Sequence, residues 1–147
     1  MHTTGVSRGG EARAEFDAVR KMADLDAALL EAAVVAIAVA LAPETRGLLD
    51  ARRIRLMKRG AYLINVARGA IVDTDALTAA LHDGGLAGAG LDVTEPEPLP
   101  DGHPLWSAPN VIITPHVAGF GSKQSQQRLA DAAVNAVRRH LDRAGRG

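Results

Sequence analysis

The chain has 147 residues, room for one domain of ordinary size, with 47% hydrophobic and 23% charged residues. Lys+Arg and Asp+Glu both total 17, so the formal net charge is zero, and no basic surplus marks the chain for nucleic acid or an anionic membrane. There is no cysteine, which excludes disulfides and thiolate metal sites and fits a cytoplasmic location.

The N-terminal stretch MHTTGVSRGG has no apolar segment of the kind a secretion signal needs. Residues 3–7 read as a short strand ending at Arg8, Gly9 and Gly10. Residues 23–30 read as a helix with an Asp cap. Residues 34–39 are continuously apolar and rich in β-branched side chains, which predicts a strand buried on both faces. The longest apolar run, residues 32–42, is too short to span a bilayer. Residues 45–58 set Leu48, Leu49, Ile54, Leu56 and Met57 among arginines, which predicts an amphipathic helix stopped by Gly60. Residues 61–66 read as a second buried strand. Asp73 or Thr74 can cap the next helix, which carries Leu77, Ala80 and Leu81 and ends at Gly84 and Gly85. Residues 88–93 read as a third strand. Six of the seven prolines fall within residues 96–115, which predicts an ordered, irregular loop. Val111, Ile112 and Ile113 inside it read as a last short strand. Ser122 then caps a long helix with Leu129, Ala133, Val137 and Leu141 on one stripe, and the tail 143–147 frays. Strands alternating with helices imply βαβ units and a parallel sheet, an α/β fold.

In open α/β sheets ligands bind beyond the carboxyl ends of the strands. Three such ends carry chemistry here. The strand at 61–66 runs into Ala67, Arg68 and Gly69; the strand at 88–93 delivers Asp92 and then Glu95 and Glu97; the last short strand leads to Thr114, Pro115 and His116. An arginine fork can hold a carboxylate and polarise the neighbouring carbonyl. A histidine can protonate a forming alkoxide and take the proton back. A carboxylate beside it orients the ring and favours the imidazolium. Those roles suit hydride transfer to a 2-keto acid, with a cofactor supplying the hydride.

The stretches Pro43-Glu44-Thr45-Arg46-Gly47-Leu48, Asn65-Val66-Ala67-Arg68-Gly69, Leu91-Asp92-Val93 with Glu97-Pro98, and Thr114-Pro115-His116 resemble the motifs of the D-isomer-specific 2-hydroxyacid dehydrogenases, in that family's order. The resemblance covers roughly the whole chain, most firmly residues 34–119. It implies a Rossmann-type parallel sheet with flanking helices and an NAD or NADP cofactor. It also implies Arg68 as the substrate-binding arginine, His116 as the acid/base and Glu97 as its paired glutamate. Asp92 then meets the nicotinamide end, and Thr45, Val66, Ala67 and the turn His116 to Gly119, including Ala118, are further cofactor contacts. Arg8, flanked by Ser7 and Gly9, falls where NAD-preferring members carry an acid. An arginine there can pair with the 2′-phosphate of NADP, as in glyoxylate/hydroxypyruvate-reductase-like members. A small 2-keto or 2-hydroxy acid is the implied substrate, and a homodimer the implied assembly.

Alternatives stand beside these roles. Glu95 competes with Glu97, and only the spacing from Asp92 favours the latter. Arg8 is also readable as a solvated residue in a Gly-rich turn. Ala40-Leu41-Ala42 departs from the Pro-Leu-Thr that members often show before Pro-Glu-Thr. No Gly-x-Gly-x-x-Gly occurs, and Gly9-Gly10 precedes no clear helix. In the family's order the first strand, the phosphate loop and most of the substrate domain lie upstream. Residues 1–147 are therefore expected to be a partial dinucleotide-binding domain. As an isolated chain it is expected to be inactive, or to act as a truncated remnant or oligomerising module.

Overall fold

The computed structural model describes residues 1–119, 123–125, 127 and 131. Contacts divide the chain into two units, Met1–Ile113 and Thr114–Gly147.

The first unit holds two parallel sheets. In one, β1 (Thr4–Ser7) pairs with β2 (Ala18–Lys21), Val6 opposite Arg20. In the other, β3 (Val34–Ile37), β4 (Ala61–Asn65), β5 (Leu86–Leu91) and β6 (Val111–Ile113) lie side by side in chain order. β1 and β3 share no ladder, so the two sheets are separate. The four strands at 34–37, 61–65, 86–91 and 111–113 match the apolar runs read from the sequence within two residues. β2 escapes that reading because only Ala18 and Val19 of its four residues are apolar.

Three α-helices connect the strands: α1 (Leu25–Glu31), α2 (Ala51–Leu56) and α3 (Thr74–His82). α2 and α3 start where an aspartate takes an orphan backbone N–H. Asp50 Oδ1 accepts from Arg53 N at 2.8 Å, and Asp73 Oδ1 accepts from Ala76 N at 3.0 Å. α1 follows a 3-10 turn, Met22–Asp24, and Asp24 makes no side-chain cap bond. The helix expected over 45–58 shrinks to six residues. The backbone before it is committed elsewhere: Leu49 N donates to Ile71 O at 3.0 Å, Leu49 bridges Val72, and Gly47 takes a positive φ of 62°. A helix cannot form through residues that hydrogen-bond to a distant segment.

The core lies between the helices and one face of the four-stranded sheet. Leu29, Leu63, Ile71, Leu77, Leu81 and Leu105 are fully buried in it. By register the other face carries Val34 and Ala36, Tyr62 and Ile64, Gly88 and Gly90, and Ile112. Val34 is 51% exposed, Tyr62 47% and Ile112 69%. This corrects the expectation of strands buried on both faces at 34–39 and 61–66. Apolar content marks a strand as buriable, but burial needs a covering layer, and this face has none among the described residues.

In the second unit, Lys123, Gln124, Ser125, Gln127 and Asp131 are helical. Ser122, the stripe Leu129, Ala133, Val137 and Leu141, and the tail 143–147 lie outside the described residues. No described helix is long and apolar enough to cross a membrane.

Candidate functional site

Because β4, β5 and β6 are adjacent and parallel, their carboxyl ends share one edge, the edge where α/β sheets bind ligands. β4 ends at Asn65, level with Leu91 of β5. The chain then turns sharply. Asn65 is buried, and both polar atoms of its amide serve the turn: Oδ1 accepts from Ala67 N at 3.0 Å and Nδ2 donates to Arg68 O at 3.0 Å. Arg68 emerges extended and exposed, with φ −148° and ψ 142°. Its guanidinium donates to Ala67 O at 2.6 Å.

The next residue has no freedom to be anything but glycine. A Cβ on Gly69 would overlap the carbonyl of Thr94. The arginine turn therefore lies directly on the backbone that follows β5. There Asp92 is buried, and its N–H donates to Asn65 O at 2.9 Å. Thr94 Oγ1 donates to Pro96 O at 2.9 Å, and Thr74 Oγ1, from the first turn of α3, donates to Glu95 O at 2.8 Å. Glu95 and Glu97 are both exposed, and each precedes a proline through a cis peptide bond. Arg68, Asp92, Glu95 and Glu97 thus sit in one unit, on neighbouring loops at one sheet edge. Asn65 and Gly69, quoted only within a motif, and Thr74, read only as a helix cap, were given no site role from the sequence. The signal available was Asn-x-x-Arg-Gly itself, which places an amide and a glycine on either side of the turn.

His116, Ala118 and Gly119 belong to the second unit. His116 N donates to Thr114 O at 3.0 Å, closing a three-residue turn on Pro115. His116 has a positive φ of 56°, uncommon for a residue with a side chain and a conformation that costs about 1–3 kcal/mol and persists where its surroundings enforce it. Its side chain is exposed.

On the nucleotide side, Arg8 follows β1 and donates to Glu44 Oε1 at 2.9 Å, the two side chains being 87% and 59% exposed. Ser7 Oγ accepts from Gly10 N at 3.1 Å. Thr45 is buried, and its hydroxyl is engaged inside its own turn, accepting from Ala42 N and donating to Ala40 O, each at 2.8 Å. Val66 is half exposed and Ala67 buried. A cationic residue at the end of β1 fits the phosphate-bearing ribose of a dinucleotide. The pyrophosphate is not provided for among the described residues. Its usual seat is an open helix N-terminus, yet α1, α2 and α3 all begin on an aspartate. The described residues thus offer a cation at the end of β1 and no open helix N-terminus for the pyrophosphate of such a cofactor. A cavity of about 360 Å³ lined by Arg55, Arg59 and Asp83 lies by the amino ends of β4 and β5, away from this edge. Among the described residues no group of His, Asp and Glu is placed to hold a metal ion.

Residues 1–118 match the family described as D-isomer specific 2-hydroxyacid dehydrogenase, NAD binding domain. A glyoxylate reductase of Thermofilum pendens is 49% identical over 111 residues, covering 76% of this chain and 32% of its own length. A glycerate dehydrogenase of Methylorubrum extorquens is 46% identical over 118 residues, covering 79% and 37%. Among solved structures, a D-isomer specific 2-hydroxyacid dehydrogenase from Xanthobacter autotrophicus Py2, in complex with NADPH and MES, aligns with a TM-score of 0.75 at 46% identity, covering 78% of this chain and 36% of that one. A phosphoglycerate dehydrogenase from Lactobacillus plantarum aligns with a TM-score of 0.79 at 37% identity, covering 97% and 46%. The chain thus spans about a third of the length of these two curated relatives. Its parallel strands, its arginine turn and this similarity agree: the chain belongs to the NAD-binding-domain family of the D-isomer specific 2-hydroxyacid dehydrogenases.

Proposed function

We propose that residues 1–147 are part of a dinucleotide-binding domain that serves hydride transfer between NAD(P)H and a small 2-keto or 2-hydroxy acid. The observation that carries this reading is the convergence of the ends of β4 and β5, where the Arg68 turn is packed against the backbone leading from Asp92 to Glu97. The relatives named as glyoxylate reductase and glycerate dehydrogenase support a substrate of that class.

A bound nicotinamide cofactor supplies the hydride. Arg68 holds the substrate carboxylate and draws electron density from its carbonyl. His116 donates a proton to the alkoxide oxygen as it forms, and in the reverse direction takes it back. In the family's pattern Glu97 would be the carboxylate that orients the His116 ring. Asp92 would be the acid that meets the nicotinamide end. In the family's pattern Ser7, Arg8, Thr45, Val66, Ala67, Ala118 and Gly119 would be the further cofactor contacts. Arg8 favours NADP over NAD, and the family member solved with NADPH is consistent with that choice.

The competent form requires polypeptide beyond these residues, to lie between β1 and β3, to seat the pyrophosphate and to complete the substrate pocket. The assembly we favour is a homodimer. A second reading, a non-catalytic oligomerising module, draws support from the split sheet and its uncovered face.

NADPH oxidation with glyoxylate or hydroxypyruvate tests the proposal. The 147-residue chain alone is expected to show no turnover, and a chain extended upstream to turn over. In the extended protein, Arg68→Ala and His116→Ala are each expected to lower kcat/KM by about 10²-fold or more. An extended protein indifferent to both changes would end the catalytic reading. Tight NADPH binding by the 147-residue chain would end the claim that a further phosphate-binding segment is needed.

A further inference from the structure

We propose that Asn65 is a positioning residue for Arg68: its buried amide shapes the turn after β4 and so sets the direction in which the guanidinium leaves the sheet. The proposal rests on the reading of Arg68 as the carboxylate binder.

Asn65 faces the core from the last position of β4, level with Leu91 and in line with Leu63. An amide there is expensive unless its polar atoms are satisfied. Both are, and both by the same turn. The Oδ1 acceptor takes Ala67 N–H and the Nδ2 donor takes the Arg68 carbonyl. The Arg68 carbonyl also accepts from Ile71 N at 3.3 Å, so two donors fix its plane. One residue on, Gly69 is held against Thr94. The Arg68 backbone is thereby clamped on both sides, and its extended φ and ψ follow from the clamp.

The side chain suits this task in a way its neighbours in size do not. Leucine would fill the space but leave Ala67 N–H unpaired and the Arg68 carbonyl held by Ile71 N–H alone. Aspartate would keep the acceptor for Ala67 N–H yet set an acceptor against the Arg68 carbonyl. Only the amide supplies one acceptor and one donor at that separation. The two halves can therefore be tested apart, because Asn65→Asp deletes the donor while keeping shape and acceptor.

The test uses the ¹⁵N-labelled 147-residue chain and three variants, Asn65→Asp, Asn65→Ala and Arg68→Ala. Three quantities are read: hydrogen exchange at the Ala67 amide, the Nε–H resonance of Arg68, and its response to added glyoxylate. In Asn65→Ala the Ala67 amide is expected to exchange about tenfold faster or more, as loss of a buried hydrogen bond implies. In Asn65→Asp the Ala67 amide is expected to stay protected while the Arg68 Nε resonance shifts and its glyoxylate response weakens about tenfold. Unchanged amide resonances at Leu63 and Leu91 show that the sheet is intact in the Asp variant, where Asn65→Ala itself fails to fold. An Asp variant whose Arg68 resonance and glyoxylate response match the wild type overturns the proposal. If Arg68→Ala and the wild type respond alike to glyoxylate, the carboxylate role of Arg68 falls. The positioning claim is then decided by the Arg68 resonance in Asn65→Asp alone: a shift upholds it and no shift ends it.

Discussion

A guanidinium that is to receive a phosphate must first release the carboxylate it holds. Arg8 is paired with Glu44 at 2.9 Å, and Glu44 belongs to the loop after β3. The pair is exposed, so it is easily exchanged for a better anion, yet the competition has a sign. Glu44→Gln removes the competitor and is expected to tighten adenosine 2′-monophosphate about two- to fivefold, in line with an exposed pair of up to 1 kcal/mol. Adenosine 5′-monophosphate serves as the control, and chemical-shift titration of the labelled chain measures both. Equal effects on the two nucleotides would remove Arg8 as the reader of the 2′ position. At this scale the sequence named the charged candidates and missed the residues that hold their backbone. Arg68 and Asp92 stand out because a charged group at a strand end invites a functional question. Asn65 and Gly69 do not, since their roles exist only in contacts with Arg68 O and Thr94.

Elements α1 and α2 are joined by charge. Asp26 of α1 accepts from Arg52 at 2.7 Å and Arg53 at 2.9 Å, and Arg53 also donates to Leu48 O at 2.9 Å. These hydrogen bonds, Arg52's first, hold the Asp26 carboxyl at about 2, below the usual ~3.9 for aspartate. A depressed folded value means stability that is present above the unfolded value and is lost as pH falls from about 4 towards 2. Asp17, held low by Thr3, and Glu31, held low by Arg20, act with the same sign. Thermal melts from pH 6 to pH 2 therefore isolate Asp26 only by difference. The gap in Tm between wild type and Asp26→Asn is expected at pH 6 and expected to close by about pH 2; a gap independent of pH would refute the assignment. Helix α3 was legible from Asp73, Leu77 and Leu81, whose spacing and cap are local. The helix expected over 45–58 was not, because what ends it at its amino side is a bond to Ile71, more than twenty residues downstream. β2 was lost for a similar reason: Ala18–Lys21 is a strand only because β1 lies beside it.

Among the described residues, two parallel sheets stand without a shared ladder, and the larger has one face open. Parallel sheets ordinarily carry helices on both faces, and unpaired strand edges recruit other chains. The zero net charge offers little repulsion to oppose this. Sedimentation velocity of the 147-residue chain is expected to show association that grows with concentration, and Ile112→Lys, on the open face, to reduce it. A monodisperse monomer unaffected by that change would mean the face is covered in solution. The α/β class and the parallel strands were readable from alternating apolar runs. The open face was not, because the residues on it are as apolar as those beneath the helices, and no strand reports from its own letters which neighbours it has.

The contact between Gly69 and Thr94 has a consequence for anyone who would move this chemistry to another scaffold. The arginine turn and the loop of acids are fitted to each other with no room for a single extra carbon. They form one cassette, to be transplanted together or not at all. A scaffold that accepts Arg68 on its own strand end, however well that strand is built, inherits a cation with no fixed bearing relative to the neighbouring acids.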